Sequence, residues 1–132
     1  RILAYIRTLL SDPTLSWRQA VEQFLYACCY GEKNGIAVLT IEEQQIIFRR
    51  LSPESYQIFR EKQAKLFGDI LECFGIRADG ERVAVFTNLA LAVMILRRAI
   101  PQNLPLFVPE AADRTVDVQI DAIVHYLETM RE

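Results

Sequence analysis

The stretch from Val83 to Leu96 is apolar on nearly every side of the helix that its spacing predicts. Thr87 and Asn88 are its only polar residues, and Arg97 is the first charge after it. A helix on the outside of a monomer needs one face that water solvates, so this helix has to be covered almost all round. It is either the central helix of its own core or part of a subunit interface. We favour the interface, because a small helical domain has few elements with which to enclose a helix.

Apolar residues recur at helical spacing in the rest of the chain as well. Ser16 and Gln19 predict a capping box at the start of a second helix. Ser52 followed by Pro53 predicts the start of a long helix that Gly75 ends. The other expected boundaries are the end of the first helix at Asp12-Pro13, a helix start at Thr40, a cap at Asp79, a helix end at Pro101, a loop over 101–114 and a cap at Thr115.

One segment does not fit this helical pattern. Residues Gly35 to Leu39 suit a short strand, but the sequence offers no second strand to pair with it. We therefore predict an all-α fold, a helical bundle of about six helices. We expect it to form a single domain that covers residues 1–132, with no internal repeat.

Charge and cysteine content argue against several classes of protein. The chain has 132 residues, a formal net charge of −2 and a pI of about 5.5, so it lacks the basic excess of a nucleic-acid-binding protein. Its three cysteines include the adjacent pair Cys28 and Cys29, which does not suit a secreted disulfide framework. Its longest apolar run falls short of the roughly 20 residues that span a bilayer. We therefore expect a cytoplasmic protein without a membrane partner.

No set of residues points to catalysis. His125 is the only histidine and stands alone in the last predicted helix. Cys28 and Cys29 are neighbours, so their side chains diverge by about 100° around a helix and do not form a CxxC site. The sequence contains no glycine-rich phosphate loop and no hydrolase or zinc-protease motif. We therefore expect no enzymatic activity, no cofactor and no metal.

Aromatic residues are concentrated in the first half of the chain, on three predicted helices. Helices that carry such side chains can enclose an apolar cavity with a few polar groups inside. The alternative is that most of these residues are ordinary core residues. The candidates for a ligand pocket are Trp17, Phe24, Cys28, Phe48, Tyr56, Phe59 and Phe67.

The last predicted helix has apolar residues beside its main stripe as well as on it. Paired with the Val83–Leu96 helix, it could form a four-helix contact with a twofold copy of the chain. The candidates for this dimer interface are Val85, Leu89, Ala92, Val93, Leu96, Ile120, Ile123, Val124 and Leu127.

Several segments together resemble the C-terminal regulatory domain of the TetR family of transcriptional repressors. The long stretch LSPESYQIFREKQAKLFGDILECFG resembles the helix that walls the family's ligand pocket. The segments DGERVAVFTNLALAVMILRRAI and TVDVQIDAIVHYLETM resemble its two dimerisation helices, and Ile2–Leu10 resembles the end of its connecting helix. DPTLSWRQAVEQFLYACC is similar to the segment that follows this connecting helix.

The resemblance implies an effector-binding and homodimerising domain of a TetR-like repressor, with a small apolar molecule as the effector. DNA would then be bound only through a helix-turn-helix domain that lies outside this sequence. The chain begins at Arg1 inside an apolar helical pattern without a cap, and we expect such a domain upstream of it. The alternative function is a helical protein–protein interaction module without a small-molecule ligand, in which the Val83–Leu96 helix docks a different protein.

Overall fold

The computed structural model describes residues 1–31, 41–99 and 106–131, and this part of the chain is helical without any strand. Its α-helices are α1 (Ile2–Ser11), α2 (Trp17–Cys29), α3 (Ile41–Arg50), α4 (Pro53–Cys73), α5 (Gly80–Ala99) and α6 (Ala112–Thr129), with a 3-10 turn at Pro109–Ala111. The predicted all-α bundle of about six helices is confirmed. The strand considered for Gly35–Leu39, the helix start at Thr40 and the helix end at Pro101 lie outside the described residues.

Short polar side chains set most of the helix starts, as predicted. Ser16 Oγ accepts a hydrogen bond from the backbone N–H of Gln19 at 3.1 Å, and the backbone N–H of Ser16 donates to Gln19 Oε1 at 2.9 Å, which completes the capping box. Ser52 Oγ accepts the backbone N–H three residues further on at 3.1 Å. Asp79 Oδ1 accepts the backbone N–H of Arg82 at 2.9 Å and so caps α5.

The start of α6 differs from the prediction. Thr115 was the expected cap, but the helix already begins at Ala112. Pro109 opens a 3-10 turn with its fixed backbone angle, and the buried Ala112 follows directly from that turn. Thr115 therefore lies inside the first turn, where its hydroxyl donates to the carbonyl oxygen of Ala111 at 2.8 Å. Asp113 supplies the acidic side chain that the positive end of the helix dipole favours.

One buried cluster joins α1, α2, α4, α5 and α6. Phe74, directly after α4, belongs to this cluster: its ring lies 5.7 Å from that of Phe24 and 6.3 Å from that of Trp17. The indole N–H of Trp17 also donates to the carbonyl oxygen of Phe74 at 2.8 Å. The first turn of α2 is thereby attached to the end of α4 by both packing and a hydrogen bond.

The turn after Phe74 is a Schellman motif, the C-terminal helix stop that glycine favours. Gly75 has a φ of +81°, its N–H donates to the carbonyl oxygen of Glu72 at 3.0 Å, and the N–H of Ile76 donates to that of Leu71 at 3.0 Å. Ile76 and Leu71 are both buried in the core cluster. The end of α4 that the sequence predicts at Gly75 is confirmed.

Gly75→Ala is expected to lower the free energy of unfolding by about 1–2 kcal/mol, because an L side chain is strained at this positive φ. Gly80→Ala is the matched control. Gly80 opens α5 without a positive φ, and no atom lies within 4 Å of an added Cβ. We expect this control to change the stability by less than about 1 kcal/mol or to raise it. Urea unfolding of both variants measures the difference, and equal midpoints would contradict the proposed strain.

Candidate functional site

The predicted pocket residues do not meet around one cavity. Phe24 lies in the core, where its ring contacts Phe74, and the half-buried Trp17 contacts the same ring. Phe67 is half-buried on α4 and makes an edge contact with the ring of Phe86 at 5.7 Å. These aromatic residues therefore belong to the core or pack against it, which agrees with the alternative that they are ordinary core residues.

Phe48, Tyr56 and Phe59 form an aromatic cluster at the surface of α3 and α4. The ring of Phe48 stands edge-on to those of Tyr56 and Phe59, with centroid separations of 6.0 and 5.9 Å. Phe48 and Tyr56 are each 43 % exposed. Three neighbouring apolar side chains on the same two helices are exposed as well: Ile46, Ile47 and Ile58. We call these six exposed residues of the two helices the α3–α4 patch.

An open surface cleft of about 400 Å³ lies at a different place, between α1 and α2. Tyr5 contributes one wall from α1, and α2 contributes the rest: Glu22, Gln23, Tyr26, Ala27 and Tyr30. None of the predicted pocket residues lines it. Residues 23, 26, 27 and 30 follow helical spacing, so the sequence placed them on one face of α2. The sequence did not show that this face lines a cleft together with Tyr5.

The tyrosines of this cleft are held in place by specific contacts. The rings of Tyr26 and Tyr30 lie 6.2 Å apart and are inclined by only 18°. The hydroxyl of Tyr26 donates to Asp117 Oδ1 at 2.8 Å. Burial, and then the hydrogen bond and negative charge of Asp117, raise the pKa of Tyr26 to about 12. Tyr26 is therefore a protonated donor at neutral pH, and its bond to Asp117 ties α2 to α6.

Charged side chains of both signs lie near the cleft. Arg18 on α2 forms ion pairs with Asp121 at 2.8 Å, with Glu128 at 3.3 Å and with Glu22 at 3.7 Å. Asp117 adds a further carboxylate on the same side of α6. The ion pairs of Arg18 with Asp121 and Glu128 and the hydrogen bond of Tyr26 to Asp117 therefore join α2 to α6. Arg97 approaches from α5, with its guanidinium carbon 4.4 Å from the ring centre of Tyr30.

The predicted interface residues divide into core and surface positions. Five of them lie in the core of the single chain and so do not form its surface: Val93, Ile120, Ile123, Val124 and Leu127. The others are half-buried or exposed: Val85, Leu89, Ala92 and Leu96.

α5 nevertheless has an exposed apolar face, on which Leu91 is 40 % exposed. Ala84, Asn88 and Ala92 are exposed on the same face, which we call the α5 face. The single chain therefore covers α5 except along this one stripe.

The reactive side chains of the described residues are dispersed. Burial raises the pKa of Cys28 to about 12 and that of Cys29 to about 11, so both remain protonated thiols, which are poor nucleophiles. His125 is exposed on α6. Within residues 1–31, 41–99 and 106–131, no group of three or more histidine, cysteine or acidic side chains is arranged to hold a metal ion.

No helix in the described part of the chain combines the length and the apolar character needed to cross a membrane.

Compared with models of protein families, with curated proteins and with solved structures, the chain shows no match to any of them. The resemblance to the TetR family therefore stays a prediction that rests on the helical pattern.

Proposed function

We propose that this chain is the dimerising, effector-binding part of a TetR-like transcriptional regulator. The observation that carries the proposal is the α5 face, because an exposed apolar surface on a long helix is typical of a protein interface. Ala84, Asn88 and Leu91 recur at helical spacing along this face, and Ala92 lies beside Leu91. Small residues at such positions let two helices approach closely.

A second copy of the chain is the proposed occupant of the α5 face. In a twofold interface the same surface of each subunit meets itself, so α5 would pack against its symmetry mate. α6 packs along α5 within one chain, and its Val118 is 50 % exposed. Two helices from each subunit would then form the four-helix contact that the resemblance implies.

The cleft between α1 and α2 is the proposed effector site. Its volume of about 400 Å³ suits a small organic molecule. α1 resembles the helix that would lead to a DNA-binding domain, and Tyr5 places one wall of the cleft on α1. A ligand that binds better to one arrangement of α1 against α2 would shift the population of that arrangement and so change DNA binding.

Light scattering after size exclusion tests the dimer directly. We expect a mass of about 30 kDa, twice the 15.2 kDa of one chain, that persists on dilution to low micromolar concentration. A mass of one chain at all concentrations would contradict the proposal. Binding of effectors is measured separately, because a monomer can still hold a ligand in the cleft.

A helical interaction module is the second candidate function. The α3–α4 patch favours it, because exposed large apolar side chains, three of them in mutual contact, often mark a site for another protein. A chain that is monomeric alone and forms a complex only when a different protein is added would support this candidate over the regulator. In that case either the α3–α4 patch or the α5 face would be the docking surface.

A further inference from the structure

We propose that the α3–α4 patch, together with the cations beside it, binds the surface of a membrane that contains anionic lipids. The patch supplies exposed apolar side chains. Four neighbouring residues supply positive charge: Arg49, Arg50, Arg60 and Lys62. Such a peripheral contact needs no helix that crosses the bilayer. The inference goes beyond the proposed function and does not rest on it.

The patch lies where α4 extends beyond the core. Every residue from 52 to 62 is exposed, and the buried residues of α4 begin only at Gly68. A helical segment that water surrounds is normally polar on all sides. This segment instead carries Tyr56, Ile58 and Phe59, and Ile58 is 53 % exposed. Large apolar side chains at such a position indicate a surface that another molecule covers.

The charge beside the patch is positive and uncompensated. The four cations form no ion pair with any residue in the described part of the chain. Residues 45–65 contain five cations and two acids, Glu54 and Glu61, although the whole chain has a net charge of −2. An anionic surface would therefore attract this end of the protein more strongly than the rest of it.

The cations follow the apolar residues by one helical turn. On α4, Arg60 lies four residues after Tyr56, and Lys62 lies four residues after Ile58. The same spacing occurs on α3, from Ile46 to residue 50. Residues four apart are neighbours on a helix surface. A long basic side chain beside an apolar one can lay its aliphatic stem along the apolar surface and extend its charge to a lipid phosphate.

The arrangement favours a lipid surface over a folded protein or a nucleic acid. Tyr56 and Ile58 are two residues apart, so their side chains point about 200° apart around α4. One face of a folded protein contacts one side of a helix, whereas fluid lipid headgroups can surround a projecting segment. A single-stranded nucleic acid would use the aromatic rings and the cations, but it would leave the exposed isoleucines in water.

Cosedimentation of the whole chain with lipid vesicles tests the inference. One set of vesicles contains equal parts of phosphatidylcholine and phosphatidylserine, and the other contains phosphatidylcholine alone. We expect partitioning into the anionic vesicles to be stronger by about tenfold or more and to fall with added salt, since each cation near such a surface contributes about fivefold. Equal partitioning into both sets, or no binding to the anionic set, would overturn the inference. A complex with a different protein in the absence of vesicle binding would assign the patch to that protein instead.

A double variant tests the charge. Arg60→Gln combined with Lys62→Gln should lower partitioning into the anionic vesicles by about tenfold or more. The matched control is Arg7→Gln combined with Arg114→Gln, which removes the same charge at exposed positions on α1 and α6. This control should change partitioning by less than about threefold. Equal losses in the two double variants would show that net charge, rather than the patch, determines binding.

A single variant tests the apolar contact. Ile58→Gln should lower partitioning by about fivefold or more, because the side chain no longer gains from leaving water. Val108→Gln is the control, at a position that is also 53 % exposed but lies outside the patch, and it should leave partitioning unchanged. Circular dichroism checks that every variant folds. Unchanged partitioning in either patch variant would refute the assignment of the site.

Discussion

Phe74→Ala is expected to lower the free energy of unfolding by about 3–5 kcal/mol, the usual cost of truncating a buried phenylalanine. The side chain is 2 % exposed and its ring contacts those of Phe24 and Trp17. Its removal leaves a cavity where α2 meets the end of α4. The hydrogen bond from Trp17 to the carbonyl oxygen of residue 74 remains possible, so the loss measures packing. Urea unfolding followed by far-UV circular dichroism determines the difference.

Phe107→Ala is the matched control for this prediction. The same two residue types are exchanged, but Phe107 is fully exposed, so the transfer of its ring out of water is not part of folding. We expect a change within about 0.5 kcal/mol, as for most surface substitutions. A loss below about 1 kcal/mol in Phe74→Ala, or an equal loss in both variants, would show that the packing of Phe74 does not stabilise the fold.

Leu91→Glu is expected to raise the dimer dissociation constant by on the order of a hundredfold or more, because it would bury an unpaired carboxylate on both sides of a twofold contact. The single chain should keep its fold, since Leu91 is 40 % exposed and solvent can hydrate a glutamate there. Light scattering across a dilution series measures the dissociation, and circular dichroism checks the helical content.

Leu10→Glu is the control for the dimer prediction. Leu10 lies on α1 and is 37 % exposed, so the chemistry and the exposure match those of Leu91 while the position lies outside the α5 face. This variant should dimerise like the unchanged chain. If Leu91→Glu also dimerised unchanged, the α5 face would not be the interface. If both variants dissociated, the added negative charge rather than the position would explain the effect.

The helices and most of their starts were predictable because each depends on residues close together in sequence. Ser16, Ser52 and Asp79 cap helices through backbone N–H groups within three residues, and Gly75 stops α4 through a local change of φ. The start of α6 was wrong for a related reason. Thr115 is a suitable cap by itself, but Pro109 and the burial of Ala112 begin the helix earlier.

The candidate site was less predictable, because it depends on which faces of different helices meet. Aromatic composition identified Phe24 and Trp17, yet their contacts with Phe74 place them in or against the core. The cleft is lined by Tyr5 from α1 and by residues of α2, and no local rule relates positions on two helices.

The dimer interface was also hard to predict, because the apolar pattern of α5 and α6 does not show which face lies in the core. α5 is apolar nearly all round, so its sequence has no polar face from which its orientation could be inferred. On α6 the apolar stripe that was assigned to the interface is the stripe that fills the core, as Ile120 and Leu127 show. A regular apolar stripe shows that one face of a helix is buried. It does not show whether that face is buried in the core of the same chain or in an interface with another chain.

The contact of Trp17 with Phe74 gives this protein a built-in optical reporter. Trp17 is the only tryptophan, so the intrinsic indole fluorescence comes from one site. Its N–H bonds to a carbonyl 57 residues away, and the guanidinium carbon of Arg131 lies 4.7 Å from the centre of its ring. The emission therefore reports at once on the start of α2, the end of α4 and the turn after α6. Stopped-flow refolding monitored by tryptophan fluorescence would follow long-range assembly. Refolding monitored by far-UV circular dichroism would follow the formation of the helices.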